Sequence, residues 1–143
     1  MIKDVIITKL EVFNSPGGCV MHGMKKTSVG YAGFGEAYFS KIDGGAIKAW
    51  KRHKNMTLNL VVPVGEIKFV LFDDRDELNN QFQEVTISKG NYYRLTIPSM
   101  VWVGFKGMSS GGSMLLNIAS IEHDPLEVDC LDIDKINYNW NIN

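Results

Sequence analysis

Between Ile47 and His53 the chain sets Lys48, Lys51, Arg52 and His53 around Trp50, a local density of cationic groups suited to holding an anion. No helical apolar stripe runs through this stretch. A period of two places Lys48, Trp50 and Arg52 on one face and Ala49, Lys51 and His53 on the other. Charged side chains are seldom fully buried unless paired, so a strand with cations on both faces lies along a wet cavity or at a sheet edge. At an edge its lysines would guard against pairing with other chains. The two runs that follow, Thr57 to Pro63 and Ile67 to Phe72, are apolar and rich in β-branched or aromatic residues. They read as a strand pair, with Gly65 between them where a hairpin needs a residue tolerant of positive φ.

The remaining elements that must position this cluster are also strands. Val5 to Phe13, Glu36 to Ile42, Phe82 to Ser88, Tyr92 to Ile97, Trp102 to Phe105 and Met114 to Ile121 are short β-rich runs separated by turn signals such as Asp43-Gly44-Gly45, Lys89-Gly90-Asn91 and Ser110-Gly111-Gly112. The Gly- and Met-rich stretch SPGGCVMHGMKKTSVGYAGFG has no period and reads as the most mobile connection. The tail LEVDCLDIDKINYNWNIN reads as a polar surface segment anchored through Ile133, Ile136, Tyr138 and Trp140. Many short strands without a helical stripe predict an all-β single domain over residues 1–143, a jelly-roll sandwich or barrel.

Composition restricts the function. The chain has 143 residues, 45% hydrophobic and 22% charged, with a net charge of −1, so neither nucleic acid nor an anionic membrane is expected as a partner and any anion site must be local. No apolar run is long enough to span a bilayer, and MIKDVIITKL lacks the pattern of a secretory leader, so the expected compartment is the cytoplasm. Cys19 and Cys130 stand alone and read as small apolar or incidental thiols. The three histidines are widely spaced and no P-loop or G-x-G-x-x-G fingerprint occurs, so no metal and no cofactor are expected.

In order along the chain, G-A-I-K-x-W, V-P-V-G-E-I, D-D-R, N-Y-x-R-L-x-I-P, V-G-F and I-x-H-D-P resemble the dTDP-4-dehydrorhamnose 3,5-epimerase family of cupin-type jelly rolls. The resemblance runs from about Gly33 to Trp140 and is strongest at Val64-Gly65-Glu66, Asp74-Arg75 and Asn91 to Pro98. It implies an isomerase acting on a nucleotide-linked 4-keto-6-deoxy sugar, made for bacterial surface polysaccharides such as lipopolysaccharide, and a homodimer formed by strand exchange. A sugar-nucleotide 3,4-ketoisomerase and a non-catalytic sugar-binding cupin are the alternatives.

The family's R-G-x-H strand, with its phosphate-binding Arg and catalytic His, falls on Lys48-Ala49-Trp50-Lys51. Lys48 keeps the charge. His53, two residues beyond Lys51 on the same face, has an intrinsic pKa suited to a general base, so His53 is preferred to Lys51 in that role. The general-acid Tyr of the family matches Asn117, which hydrogen-bonds a keto oxygen but supplies no proton. Tyr31, Tyr38, Tyr92 and Tyr93 remain as acids. The His-orienting Asp lies, in the family, beyond the segment matching Ile136 to Trp140, so the usual dyad is not expected. Trp50, Arg52, Arg75, Tyr92 and His123 complete the expected substrate contacts, with His22 and Lys26 on a segment that closes over the ligand. Asp74-Arg75 reads equally as an ion pair holding a turn, and His123-Asp124-Pro125 as a turn in which Asp124 binds its own backbone.

Overall fold

In a computed structural model, which describes residues 1–142, twelve strands form two five-stranded antiparallel sheets and a separate hairpin. The first sheet has the spatial order β1 (Ile6–Lys9), β9 (Tyr93–Ile97), β6 (Leu58–Val64), β11 (Ser113–Ala119), β4 (Glu36–Ile42). The second runs β12 (Val128–Cys130), β5 (Ile47–His53), β10 (Trp102–Gly107), β7 (Glu66–Asp73), β8 (Gln81–Ser88). The sheets pack face to face as a jelly-roll sandwich, and period-two alternation sorts each strand between the core and the outside. Leu58, Leu60 and Val62 of β6, with Leu95, Ile97 and Leu115, meet Ile67, Phe69, Leu71, Val85 and Ile87 in the core. Each such side chain contributes about 1.5–3 kcal/mol by burial.

Gly65 does not make a hairpin. β6 pairs with β9 and β11 whereas β7 pairs with β10 and β8, so the chain changes sheets at this residue. Its φ of +77° and the position of a would-be Cβ, 2.3 Å from the Ser113 hydroxyl, still require glycine. Both runs are buried on both faces, and that removes the alternation by which a paired hairpin would be distinguished from a crossover.

The first predicted strand is two: β1 ends before Leu10, and the chain leaves the sheet to pair β2 (Val12–Ser15) with β3 (Gly18–Met21). The stretch after β3 is tied down rather than free. The Tyr92 hydroxyl donates to the His22 carbonyl (2.7 Å), Arg94 to those of Gly23 and Val29 (2.8 Å each), and Asn59 to that of Gly30 (3.0 Å). Four hydrogen bonds from one sheet face thus replace the periodicity the segment lacks.

The tail adds a strand. β12 pairs with β5 in the register Val128↔His53, Asp129↔Arg52, Cys130↔Lys51, so β5 is an interior strand and not an edge. Beyond it Ile136, Tyr138 and Trp140 join Trp50, Val70 and Trp102 in a second apolar cluster on the outer face of this sheet, while Ile133 stays 45% exposed. Both cysteines are exposed, and of the two readings this fits incidental thiols.

Candidate active site

The side chains of β5 are sorted by a bulge. Lys51 lies opposite Val103 and Lys48 opposite Phe105, so Ala49 and Trp50 together face Gly104 alone. A bulge shifts the alternation by one residue, and Lys48 therefore shares the inner face with Lys51 and His53 instead of lying on the face opposite them. Gly104 permits this, because a Cβ there would sit 2.8 Å from the Ala49 Cβ and 2.9 Å from the Trp140 ring.

The inner face of β5 borders a cavity of about 400 Å³ between the two sheets, opening beside β4. Lys48, Lys51 and His53 supply one wall, Tyr38, Ser40 and Asn117 the facing wall, and Leu58, Leu60, Val103, Phe105 and Leu115 the apolar floor. Cys130 and Leu131 close the side next to Lys51. Lys48 reaches the mouth, where its ammonium donates to the Lys41 carbonyl at 3.1 Å. Lys51 is exposed there.

His53 is buried, and its Nδ1 is hydrogen-bonded to Oε1 of Glu127, itself 5% exposed. The other carboxylate oxygen accepts the backbone N–H groups of Asn55 (3.0 Å) and Met56 (3.2 Å). Burial pushes the Glu127 carboxyl up, but the hydrogen bonds from His53, Asn55 and Met56 together outweigh it and hold the group below its ordinary value. Glu127 is thus an anion at neutral pH and can only accept. Nδ1 of His53 must carry the ring proton, and the lone pair of the neutral imidazole resides on Nε2, the arrangement of a general base.

Glu127 is the residue that sequence reasoning missed. It ends a single 3-10 turn, Pro125–Glu127, fixed by Asp124, whose side chain accepts the Leu126 N–H at 2.9 Å. The Asp124 turn is as expected; that it carries the carboxylate onto His53 was not readable. The signal available was the D-P start of the turn, which fixes a backbone but names no partner 74 residues away.

Across the cavity Asn117 Nδ2 donates to the Tyr38 hydroxyl at 3.0 Å. That bond uses an acceptor site of the phenol and leaves its proton free to donate. The Asn117 Oδ1 is buried without a partner.

Four of the expected substrate contacts lie elsewhere, and a fifth, Trp50, only borders the cavity. Arg52 projects from the outer face, where Asp129 (2.9 Å) and Asp74 (3.4 Å) neutralise it and Trp102 lies beneath its guanidinium. Trp50 borders the cavity, but its indole packs outward on Tyr138 and Trp140 and donates to the Ile133 carbonyl. Arg75 is held by Asp73 at 2.8 Å, not by Asp74. Tyr92 packs under the N-terminal hairpin with Leu10 and Val61. His123 is exposed, its backbone N–H donating to Glu36. The bulge and the ion pairs account for Arg52 and Arg75; Tyr92 and His123 are set by tertiary packing and by a loop that sequence matching does not locate. Among the described residues no three of His, Cys, Asp and Glu converge so as to hold a metal ion.

No family model matches the chain. A probable low-salt glycan biosynthesis epimerase, Agl13, of Haloferax volcanii is 31% identical over 91 residues, 62% of this chain, and the match spans only 58% of that relative's length. The fold superposes with a TM-score of 0.83 on a dTDP-4-dehydrorhamnose 3,5-epimerase from Sulfolobus tokodaii, over 96% of this chain and 82% of that one at 18% identity. With a dTDP sugar isomerase from Desulfovibrio desulfuricans the TM-score is 0.93 and the identity 33%, over 97% of this chain and 92% of the other. On that near-complete match the chain belongs to the dTDP-sugar isomerase and epimerase family.

Proposed function

We propose that the protein is an isomerase that epimerises a dTDP-linked 4-keto-6-deoxy sugar by removing a proton from a carbon beside the keto group. The observation that carries this reading is the buried His53–Glu127 pair bordering a cavity with ammonium groups on one wall and a phenol on the other. Lys48 binds the pyrophosphate, and the leucine floor receives the 6-methyl edge of the sugar. His53 Nε2 takes the proton on one face. The negative charge that develops on the C4 oxygen is met by the Lys51 ammonium, a donor placed before the charge forms. Tyr38 returns a proton to the opposite face, and both groups re-equilibrate with water at the mouth. Asn117 positions Tyr38 by donating to its hydroxyl.

The protein acts in this reading as a cytoplasmic homodimer in the assembly of surface glycans. The test is proton NMR of dTDP-4-keto-6-deoxyglucose in deuterated water. Loss of the C3 or C5 signal with the wild-type protein, abolished in His53→Asn with dTDP affinity retained, supports the proposal. Broadening without exchange means a binding protein, and full exchange by His53→Asn removes it as the base.

A further inference from the structure

Arg52, expected in the substrate site and found outside it, is anchored from three directions. Its Nε (3.1 Å) and one terminal nitrogen (2.9 Å) converge on Oδ2 of Asp129, and the other terminal nitrogen reaches Oδ1 of Asp74 at 3.4 Å. Asp74 is itself fixed, its Oδ2 accepting the Trp102 indole N–H at 3.1 Å, and the guanidinium lies 4.4 Å from the centre of the Trp102 ring. The second oxygen of Asp129 faces the Lys54 ammonium at 3.6 Å. The cations on either side of His53 in the sequence therefore both meet the residue two beyond Glu127.

Ion pairs at this exposure add little to global stability, but they can decide register. β12 has three residues, none buried, and pairs with β5 alone. Backbone hydrogen bonds hold it at both ends, from the Lys54 N–H to the Glu127 carbonyl (2.8 Å) and between Trp50 and Leu131 (2.9 and 3.1 Å). Such a ladder forms equally well in a slipped register, and in most strands a buried face specifies which one is adopted. β12 has no buried face. A slip of one residue moves the chain by about 3.3 Å, enough to carry the Glu127 carboxylate out of hydrogen-bond reach of His53 Nδ1.

We propose that Arg52 and Asp129 are positioning residues of the base: their pairing on the outer face of the second sheet selects the register of β12 that sets Glu127 against His53. The inference rests on the assignment of His53 as the base, and it gives these two residues a role in turnover without contact with the substrate. Arginine suits the task because its planar fork fixes orientation as well as charge. Held by Asp74 and Trp102 on its other sides, the guanidinium presents to Asp129 a donor edge that is already in place.

The experiment compares Asp129→Ala, and Arg52→Gln from the other side of the pair, with the wild-type chain in imidazole ¹⁵N spectra of His53, in proton exchange at the sugar carbon under saturating substrate, and in dTDP affinity. In both variants the single Nδ1–H tautomer should give way to a mixture. The saturated exchange rate should fall by about 10- to 100-fold, toward the loss that a misplacement of about 1 Å brings, with dTDP affinity within about twofold and the urea midpoint nearly unchanged. A wild-type His53 spectrum in either folded variant overturns the proposal whatever the exchange rate. A parallel fall of exchange, affinity and folded fraction also overturns it, since the pair would then be part of the general scaffold. An altered spectrum with wild-type exchange supports the positioning and instead removes His53 as the base, so the two readings fail separately.

Discussion

Replacing Glu127 by Gln removes one charge with almost no change in shape, and the structure fixes what must follow. The carboxylate now accepts three hydrogen bonds, from His53 on Oε1 and from the Asn55 and Met56 N–H groups on Oε2. A carboxamide has one oxygen. Turned toward His53, it sets its NH₂ against two backbone donors and leaves both unpaired, about 2–6 kcal/mol at 1–3 kcal/mol for each buried group. Turned toward the backbone, it keeps those bonds and presents NH₂ to Nδ1, so the ring must accept there and move its proton to Nε2. The second orientation wins by that margin, and the base nitrogen is then blocked. Proton exchange at the sugar carbon should fall by about 10²–10⁴, the usual worth of a positioned general base, while dTDP affinity stays within about twofold because Lys48 is untouched. Imidazole ¹⁵N spectra report the tautomer directly. A Glu127→Gln protein that keeps its proton on Nδ1, or exchanges at nearly the wild-type rate, refutes the reasoning.

Tyr38→Phe should separate two steps that Glu127→Gln loses together: deuterium exchange at the carbon continues, while net inversion falls by about 10²-fold or more because the opposite face lacks its acid; equal losses in both would place the acid elsewhere. Glu127 also contributes to stability in a pH-dependent way. Its folded pKa lies below the ordinary 4.5, so the stabilisation is complete above that value and is lost as pH falls through the lower folded one. The urea midpoint of the wild type should therefore converge on that of Glu127→Gln in acid, and a gap constant from pH 7 to about pH 3 would contradict the assignment. Gly104→Ala should destabilise the protein by about 1–3 kcal/mol through overpacking against Ala49 and the Trp140 ring, measured by thermal unfolding; an unchanged midpoint would show that the bulge tolerates a methyl group.

The strands were readable because apolar runs bounded by Gly and Asp signals depend only on local chemistry. Even so, Glu36–Ile42 was located to the residue, whereas Val5 to Phe13 was not divided, since the break at Leu10 is set by its docking on Val61 and Tyr92. The cation cluster was legible, but its facing was not: a bulge made by Gly104 and Trp140 is a tertiary event, and it moved Lys48 to the inside while leaving Arg52 outside. Arg75 next to Asp74 suggested a pair that the turn geometry gives to Asp73 instead. Glu127 was invisible for the opposite reason, as its turn was correctly read but its partner lies on a strand it meets only after the sandwich closes.

That separation has an evolutionary consequence. Affinity for the phosphates is proposed for Lys48 of β5, whereas the carboxylate that orients the proposed base, His53, sits on a turn from a different piece of chain. Either can be lost without dismantling the other. A lineage carrying this fold is then one substitution at position 127 away from trading turnover for recognition alone, with shape and ligand preference intact. Catalysts and receptors of the same sugar nucleotides could in this way arise from one another repeatedly, and overall sequence similarity would be a poor guide to which of the two a given chain has become.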